Sequence, residues 1–373
     1  GSDGISMREV CPIREVLRAE CAGIVDDMTD QSGTLGVPIS LLDVVPVTGG
    51  ESSTDALDRA RQFARLGDEL GCRRLWYAEH HNMPGIGSTA PEVLIANAAA
   101  LTRRIRVGSG GVMLPNHAPL TVAERYCTLE ALHPGRIDLG IGRAPGTDQR
   151  TARALRRSGQ SDDLAALLAE LLGYLHGFPE GHPLHGLLAY PRPPSSPEIF
   201  LLGSSDYGAR LAAQLGMPYA FAHHFSSHFS IAAMHLYHQG FRPSEHLAQP
   251  HAILTVTVIC AETDERAREL SLAWALSFIR LRTGVPPGPF PTHEEAIAHE
   301  WTEAERAYAD DFLAAQAIGS PGTVRARLQT LLEQTGAEEL MASIPVTDPT
   351  ARATSLRLLV DMAGSPAYDA ATR

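Results

Sequence analysis

The chain has 373 residues, 44% of them apolar, with 33 glycines and 26 prolines, enough for one large core or two ordinary ones. Its net charge of -12, with no run of lysines or arginines to offset it, argues against a nucleic-acid partner and means that any anionic ligand needs a local basic site. Five scattered cysteines without a CxxC spacing give no zinc signature and fit unpaired thiols in a reducing compartment; no apolar run approaches the roughly 18 residues that span a bilayer, so a soluble, cytoplasmic protein with no membrane partner is expected.

Residues 1–35 read as an extension: Gly1-Ser2 resembles an expression scar, Met7 a native start, and Val10, Ile13, Leu17 and Cys21 have the spacing of one outer helix. From 36 to about 365, short apolar strands alternate with amphipathic helices, the pattern of a parallel sheet wrapped in helices. The first strand is Pro38–Val45, and Ser52 to Asp55 caps a helix with Leu57, Ala60, Phe63 and Leu66 on one face. The second, Leu75–Ala78, stops being apolar in one step and delivers Glu79, His80 and His81 into a turn closed by Pro84-Gly85. Carboxyl ends of strands are where ligands sit in parallel α/β proteins. Metal ligands, an acid-base pair and a hydrogen-bonded cap all remain open there. Tyr77 and Trp76, with Met113 further on, are candidates to wall a pocket.

Pro91 starts a helix through Leu101, and the third strand, Ile105–Leu114, carries Gly108, Gly110 and Gly111, interior glycines of the kind that mark a close approach to the backbone. A helix from Pro119 is stopped by His133-Pro134-Gly135. The fourth strand, Arg136–Ile141, ends in Gly142-Arg143, followed by an arginine-rich loop and a helix capped at Ser161. Residues 176–197 form an irregular excursion. The fifth strand, Ile199–Leu202, leads into Ser204-Ser205 at a helix start, which reads either as a plain N-cap or as an anion site. The sixth, Tyr219–Ala222, ends in His223-His224, either substrate-side groups or satisfied strand-end histidines. After the seventh, Ala252–Cys260, and a helix from Asp264 to Leu281, residues 282–318 form an insertion with a polar helix Glu294–Phe312, a lid or an interface. Pro321 restarts a helix, the eighth strand is Glu339–Ile344, and Asp348-Pro349 caps the last helix. Eight strand-helix units with one insertion after strand seven predict a (β/α)8 TIM barrel. An open doubly wound sheet is the alternative, but no G-x-G-x-x-G fingerprint follows a strand.

Three segments then resemble the bacterial-luciferase-like family of flavin-dependent monooxygenases: Glu79-His80-His81, Gly108 to Pro115, and Gly135 to Arg143. The resemblance covers Val37 to about Gly364. It implies that His80 lies beside the reactive edge of a flavin and handles protons, with Glu79 as its orienting or structural neighbour. It implies further that the Gly110-Gly111 peptide is a non-prolyl cis bond under the ring, that Arg143 meets the flavin phosphate, and that Ser204, Ser205 and the N–H groups through Tyr207 close on that phosphate. The implied activity is a two-component monooxygenase, a homodimer taking reduced FMN (FMNH2) from a separate flavin reductase and using O2 on a small organic substrate. Gly142 and His81-Asn82 depart from the luciferase pattern and argue against light emission. Leu42-Asp43, His223-His224-Phe225 and Ser343-Ile344-Pro345 resemble the subgroup that oxygenates aromatic polyketides and related secondary metabolites in antibiotic biosynthesis. Hydride transfer with the deazaflavin F420, a non-catalytic flavin-binding subunit, and a metal-dependent hydrolase are the other readings; the last wants a His-x-His that the chain lacks.

Overall fold

The computed structural model describes residues 34–155, 163–245 and 247–364, so the predicted N-terminal helix and the Ser161 cap lie outside the described residues. The β-branched and aromatic runs form strands β1 (Ile39–Asp43), β2 (Arg74–Tyr77), β3 (Arg106–Met113), β4 (Ile137–Gly142), β5 (Glu198–Gly203), β6 (Tyr219–Ala222), β7 (Ala252–Cys260), β8 (Ala317–Gly319) and β9 (Glu339–Ser343). Strands β1 to β7 pair in chain order, all parallel, and β7 pairs β9, which pairs β1. Eight strands therefore close on themselves with helices between them, the expected (β/α)8 barrel.

Strand β8 was not foreseen. The last residues of β7, Val258 to Cys260, overshoot the barrel, and β8 pairs with that overhang. Three residues are too few to show a period in sequence. The insertion also differs from a single helix: Thr292 and Thr302 each form a capping box, with Glu295 and Glu305, so two helices, His293–Ala298 and Glu303–Ala314, replace one. The helix expected to be capped at Ser161 has Asp163 as its N-cap, whose carboxylate accepts from the N–H groups of Ala165 and Ala166.

Alternation along each strand divides the core. Leu75 and Tyr77 face the helices, while Trp76 and Ala78 join Leu42, Phe200, Ala220, Ile253 and Met341 inside the barrel. Below this apolar layer, at the strand starts, lies a buried ion network. Arg74 donates to Asp138 at 2.9 Å and to Glu339 at 2.8 Å, Arg106 Nε donates to Asp138 at 2.7 Å, and Trp76 Nε1 donates to the same carboxylate at 2.9 Å. Glu198 sits within 3.3 Å of Arg74, His251 within 3.2 Å of Glu339, and Ser40 also donates to Glu339. Burial alone would raise the Asp138 carboxyl, but Arg106 and Arg74 overcome it and hold the group below its ordinary range; burial likewise opposes Glu339, and Arg74, His251 and Arg73 hold it well below.

Asp138→Ala leaves Arg74 and Arg106 without their shared partner, and a urea unfolding curve is expected to show a loss of about 3–5 kcal/mol. Because both carboxylates have depressed folded-state values, the stability they confer is complete above about pH 5 and is lost as pH falls from about 4 downwards. A wild-type stability unchanged between pH 6 and pH 3 would contradict this.

Candidate functional site

The carboxyl ends of the strands gather the polar residues that interrupt the apolar runs. Glu79, one step past β2, is only 1% exposed, and its carboxylate accepts from His81 Nε2 at 2.8 Å, the Met113 N–H at 2.9 Å, and Asn116 Nδ2 and His117 Nε2 at 3.0 Å. Burial would raise this carboxyl; the imidazoles of His117 and His81 and the Met113 N–H hold it below its ordinary value. None of these bonds goes to His80, so Glu79, expected as its orienting or structural neighbour, makes no direct hydrogen bond to that ring. Asn116 and His117 were not among the expected site residues; like Glu79 they are polar residues just past an apolar strand, here beyond Leu114-Pro115.

His80 is half-buried, with its N–H on the Ser88 carbonyl at 3.0 Å and its Nδ1 on the Gly146 carbonyl at 3.3 Å. A carbonyl can only accept, so Nδ1 carries the proton and Nε2, which has no partner among the described residues, keeps its lone pair. Burial pushes the ring below the ordinary histidine value, His81 adds to this, and the Gly146 carbonyl and Glu79 oppose it. Across the mouth, His223 is satisfied by Ser230 Oγ at 2.9 Å and the Ala315 carbonyl at 2.8 Å. His224 has its Nδ1 3.4 Å from the Thr255 carbonyl, and burial, with His223 and His80 close by, pushes it down to about 4. The two histidines thus divide: one is a strand-end tie, the other a neutral ring within electrostatic reach of His80.

The Gly110-Gly111 peptide is cis, and the β3–β4 register shifts there. The approach that these glycines permit is the barrel's own: a Cβ on Gly110 would lie 2.8 Å from Leu42 Cδ1 and 3.1 Å from Trp76 Cβ, and one on Gly111 2.8 Å from the Gly140 carbonyl oxygen. Trp76 is fully buried and forms the floor, and Tyr77 faces outward, so neither walls a pocket. Met113 does reach the rim, against Gly142 and Gly146.

Arg143, exposed past β4, stacks on the Tyr207 ring with Cζ 4.4 Å from its centroid. Beyond the N–H that the resemblance implies for Tyr207, its ring adds this contact. Ser205 is the N-cap of the helix Asp206–Leu215, yet its side chain makes no cap bond, so the plain capping reading fails. The Ser204 carbonyl accepts from Ser226 Oγ at 2.8 Å. Asp206 in the first turn opposes an anion and is answered by Arg210 at 3.5 Å. At the β1 end, Val45 has φ +54°, rare for a β-branched residue, and is held by the Asp43 carboxylate on its N–H at 2.8 Å and by Gly87 on its carbonyl at 2.7 Å. The insertion reaches this same face, with the Phe290 N–H on the Val47 carbonyl at 2.7 Å. Among the described residues no three His, Cys, Asp or Glu side chains gather as metal ligands do, and no helix is long and apolar enough to cross a membrane.

Comparison with known proteins agrees with this fold. The family model described as "Luciferase-like monooxygenase" matches residues 38–339. A luciferase-like monooxygenase of Escherichia coli (strain K12) is 41% identical over 337 residues, covering 90% of this chain and 98% of the relative. The crystal structure of apo-MsnO8 superposes with a TM-score of 0.80 at 39% identity, over 87% of this chain and 98% of that one. The oxygenating constituent of 3,6-diketocamphane monooxygenase from Pseudomonas putida, solved in complex with FMN, shares the fold at a TM-score of 0.64 and 21% identity, over 88% of this chain and 98% of that one.

Gly146 has φ +65°, and a Cβ there would lie 2.5 Å from the Glu79 carbonyl oxygen, whereas Gly71, at φ +77°, has open space around it. Gly71→Ala is expected to cost about 1 kcal/mol, and Gly146→Ala about 2–3 kcal/mol because the loop must also retreat from Glu79. Equal costs in urea unfolding would show that the Gly146 loop is not held against β2.

Proposed function

Since the chain belongs to the luciferase-like monooxygenase family, and is accordingly an oxidoreductase, we propose that it is a two-component flavin-dependent monooxygenase, taking reduced FMN from a separate reductase and using O2 to oxygenate a small organic substrate. One observation carries this reading. The single loop from Arg143 to Gly146 presents a guanidinium beside Tyr207 and a helix start at one end and accepts the Nδ1–H of His80 at the other, with the Gly110-Gly111 peptide on the strand between. An anion end, a flat middle and a proton-accepting end match the three parts of FMN.

The donor set fits the cofactor. Arg143, the uncapped Ser205 hydroxyl, and the N–H groups from Ser205 to Tyr207 at a helix N-terminus would hold a doubly charged phosphate in an otherwise acidic protein. Ser204 completes that loop through its N–H, since its carbonyl is already engaged. Gly110 and Gly111 would offer peptide surface to the ring. Reduced FMN, when bound, supplies the electrons that let O2 give one oxygen atom to the substrate and the other to water. His80, neutral at pH 7 with Nε2 unpartnered, takes and returns a proton at that atom. The 282–318 insertion, tied to the β1 end through Phe290, acts as a lid that limits water. The absence of a dinucleotide fingerprint from the sequence is what assigns the reduction to a separate protein.

Arg143→Ala is expected to weaken FMN binding tenfold or more while leaving riboflavin within about threefold, a charge-assisted contact being worth roughly 1.5–3 kcal/mol. Equal losses for both ligands would remove Arg143 from the phosphate, and tighter binding of F420 than of FMN would replace the cofactor. His80→Ala should keep FMN binding and lower reductase-coupled oxygen transfer, followed as 18O from O2 in product, by about 10²–10⁴-fold. The acid limb of the wild-type rate profile should fall below the ordinary histidine value of about 6.5, since the ring must be neutral and its burial delays protonation. Turnover from NADH with no reductase present would contradict the two-component assignment.

A further inference from the structure

We propose that Glu79 is a positioning residue for His80, acting through Asn116 and the loop that ends in Gly146. The inference rests on the reading of His80 as the proton-handling ring. The two residues are adjacent in sequence, yet the carboxylate turns toward β3, where Met113, Asn116 and His117 donate to it, and toward His81. Asn116 Nδ2 is shared: besides Glu79 Oε1 at 3.0 Å it donates to the Pro145 carbonyl at 3.2 Å. One residue further on, the Gly146 carbonyl receives His80 Nδ1 at 3.3 Å and the His81 N–H at 3.1 Å. The path from Glu79 back to its own neighbour therefore runs through the ends of β3 and β4.

What is positioned is a tautomer. The Gly146 carbonyl can only accept, so it selects the His80 ring with the proton on Nδ1 and the lone pair on Nε2. Four donors and no acceptor converge on Glu79, which suits an ionised carboxylate with its roughly four lone-pair sites. An amide at that position would turn its NH2 toward one or more of those donors and loosen the loop. The charge matters as well. Glu79 favours protonation of His80 and His81 opposes it, while His224, pushed down to about 4 by burial with His223 and His80 nearby, stays neutral where His80 titrates; His117, past the end of β3, faces Glu79 rather than His80.

The test uses full-length protein labelled with 15N-histidine, His80 being assigned by difference against His80→Gln, so that ring nitrogen shifts report the tautomer and its titration. Wild type is expected to show His80 with Nδ1 protonated. Asn116→Ala, which breaks the relay and keeps the carboxylate, should give a mixture of tautomers with the titration midpoint close to that of wild type. Glu79→Gln should give the mixture and also a lower midpoint, because the carboxylate that favours the cation is gone; Glu79→Asp should restore the midpoint. Turnover with FMNH2 should fall about tenfold or more in the first two variants, equivalent to at least 1.4 kcal/mol in the barrier. A wild-type His80 tautomer in both Asn116→Ala and Glu79→Gln, with only thermal stability lowered, would overturn the proposal and leave Glu79 a structural tie. A changed tautomer with unchanged turnover would support the positioning and instead overturn the proton-handling role of His80. Should Glu79→Gln fail to fold, the Asn116→Ala spectrum alone decides between the first two outcomes.

Discussion

The barrel depends on the cluster of charges buried beneath its apolar layer. Arg74 and Arg106 meet Asp138 and Glu339 where the strands begin, and these four side chains come from β2, β3, β4 and β9. Removing such charges from water costs several kcal/mol each, so the cluster persists only because nearly every member has a partner of opposite sign within 3 Å. Its geometry cross-links strands on both sides of β1, the strand at which the sheet closes. With that end sealed by ion pairs, Trp76 and Phe200 above it, and the Arg74 guanidinium 4.7 Å from the Phe200 ring centroid, only the carboxyl end of the strands is left to take a ligand.

That end carries the opposite bargain. Polar groups there are held by one another across loops rather than by charge partners alone, and a β-branched residue, Val45, sits at positive φ. Unfavourable local conformations of this kind last only where neighbours over-determine them, as the Asp43 carboxylate and the Gly87 N–H do for Val45. The Glu79 carboxylate ties the loop after β2 to the one after β3, and Asn116 carries the tie on to the loop after β4. The rigid floor and the cross-braced rim belong to one design, because a mouth built from eight separate loops can hold side chains in register only if the strands beneath it do not slip.

Much of this was legible along the chain. Strand ends at Tyr77, Met113, Gly142 and Gly203 fall within a residue or two of where apolar runs give way to polar residues, and the loss of alternation marked Glu79 to His81 as a rim. The insertion and the barrel floor carry local signals as well. Thr292-x-x-Glu295 announces a helix start just before the expected helix Glu294–Phe312 and Thr302-x-x-Glu305 a second start inside it, and charged residues at the first position of β2, β3, β5 and β9 announce a polar floor. The β8 strand had no such signal, since it owes its existence to the overhang of β7 rather than to its own three residues.

The sequence by itself determined the alternation of strands and helices, the parallel sheet with its glycine-rich β3 and β4, and the class of residue at each strand end, because those are properties of neighbours in the chain. Only the tertiary structure decided which strand ends meet. The Arg74 bond to Glu339 spans 265 residues, Asn116 reaches Pro145 across two strand ends, and Arg143 finds the ring of Tyr207. None of these pairs has a local signature, since each exists only after the barrel has closed and set adjacent strands side by side. The same closure turned the Glu79 carboxylate away from the histidine beside it and joined the two through a carbonyl 67 residues downstream of Glu79.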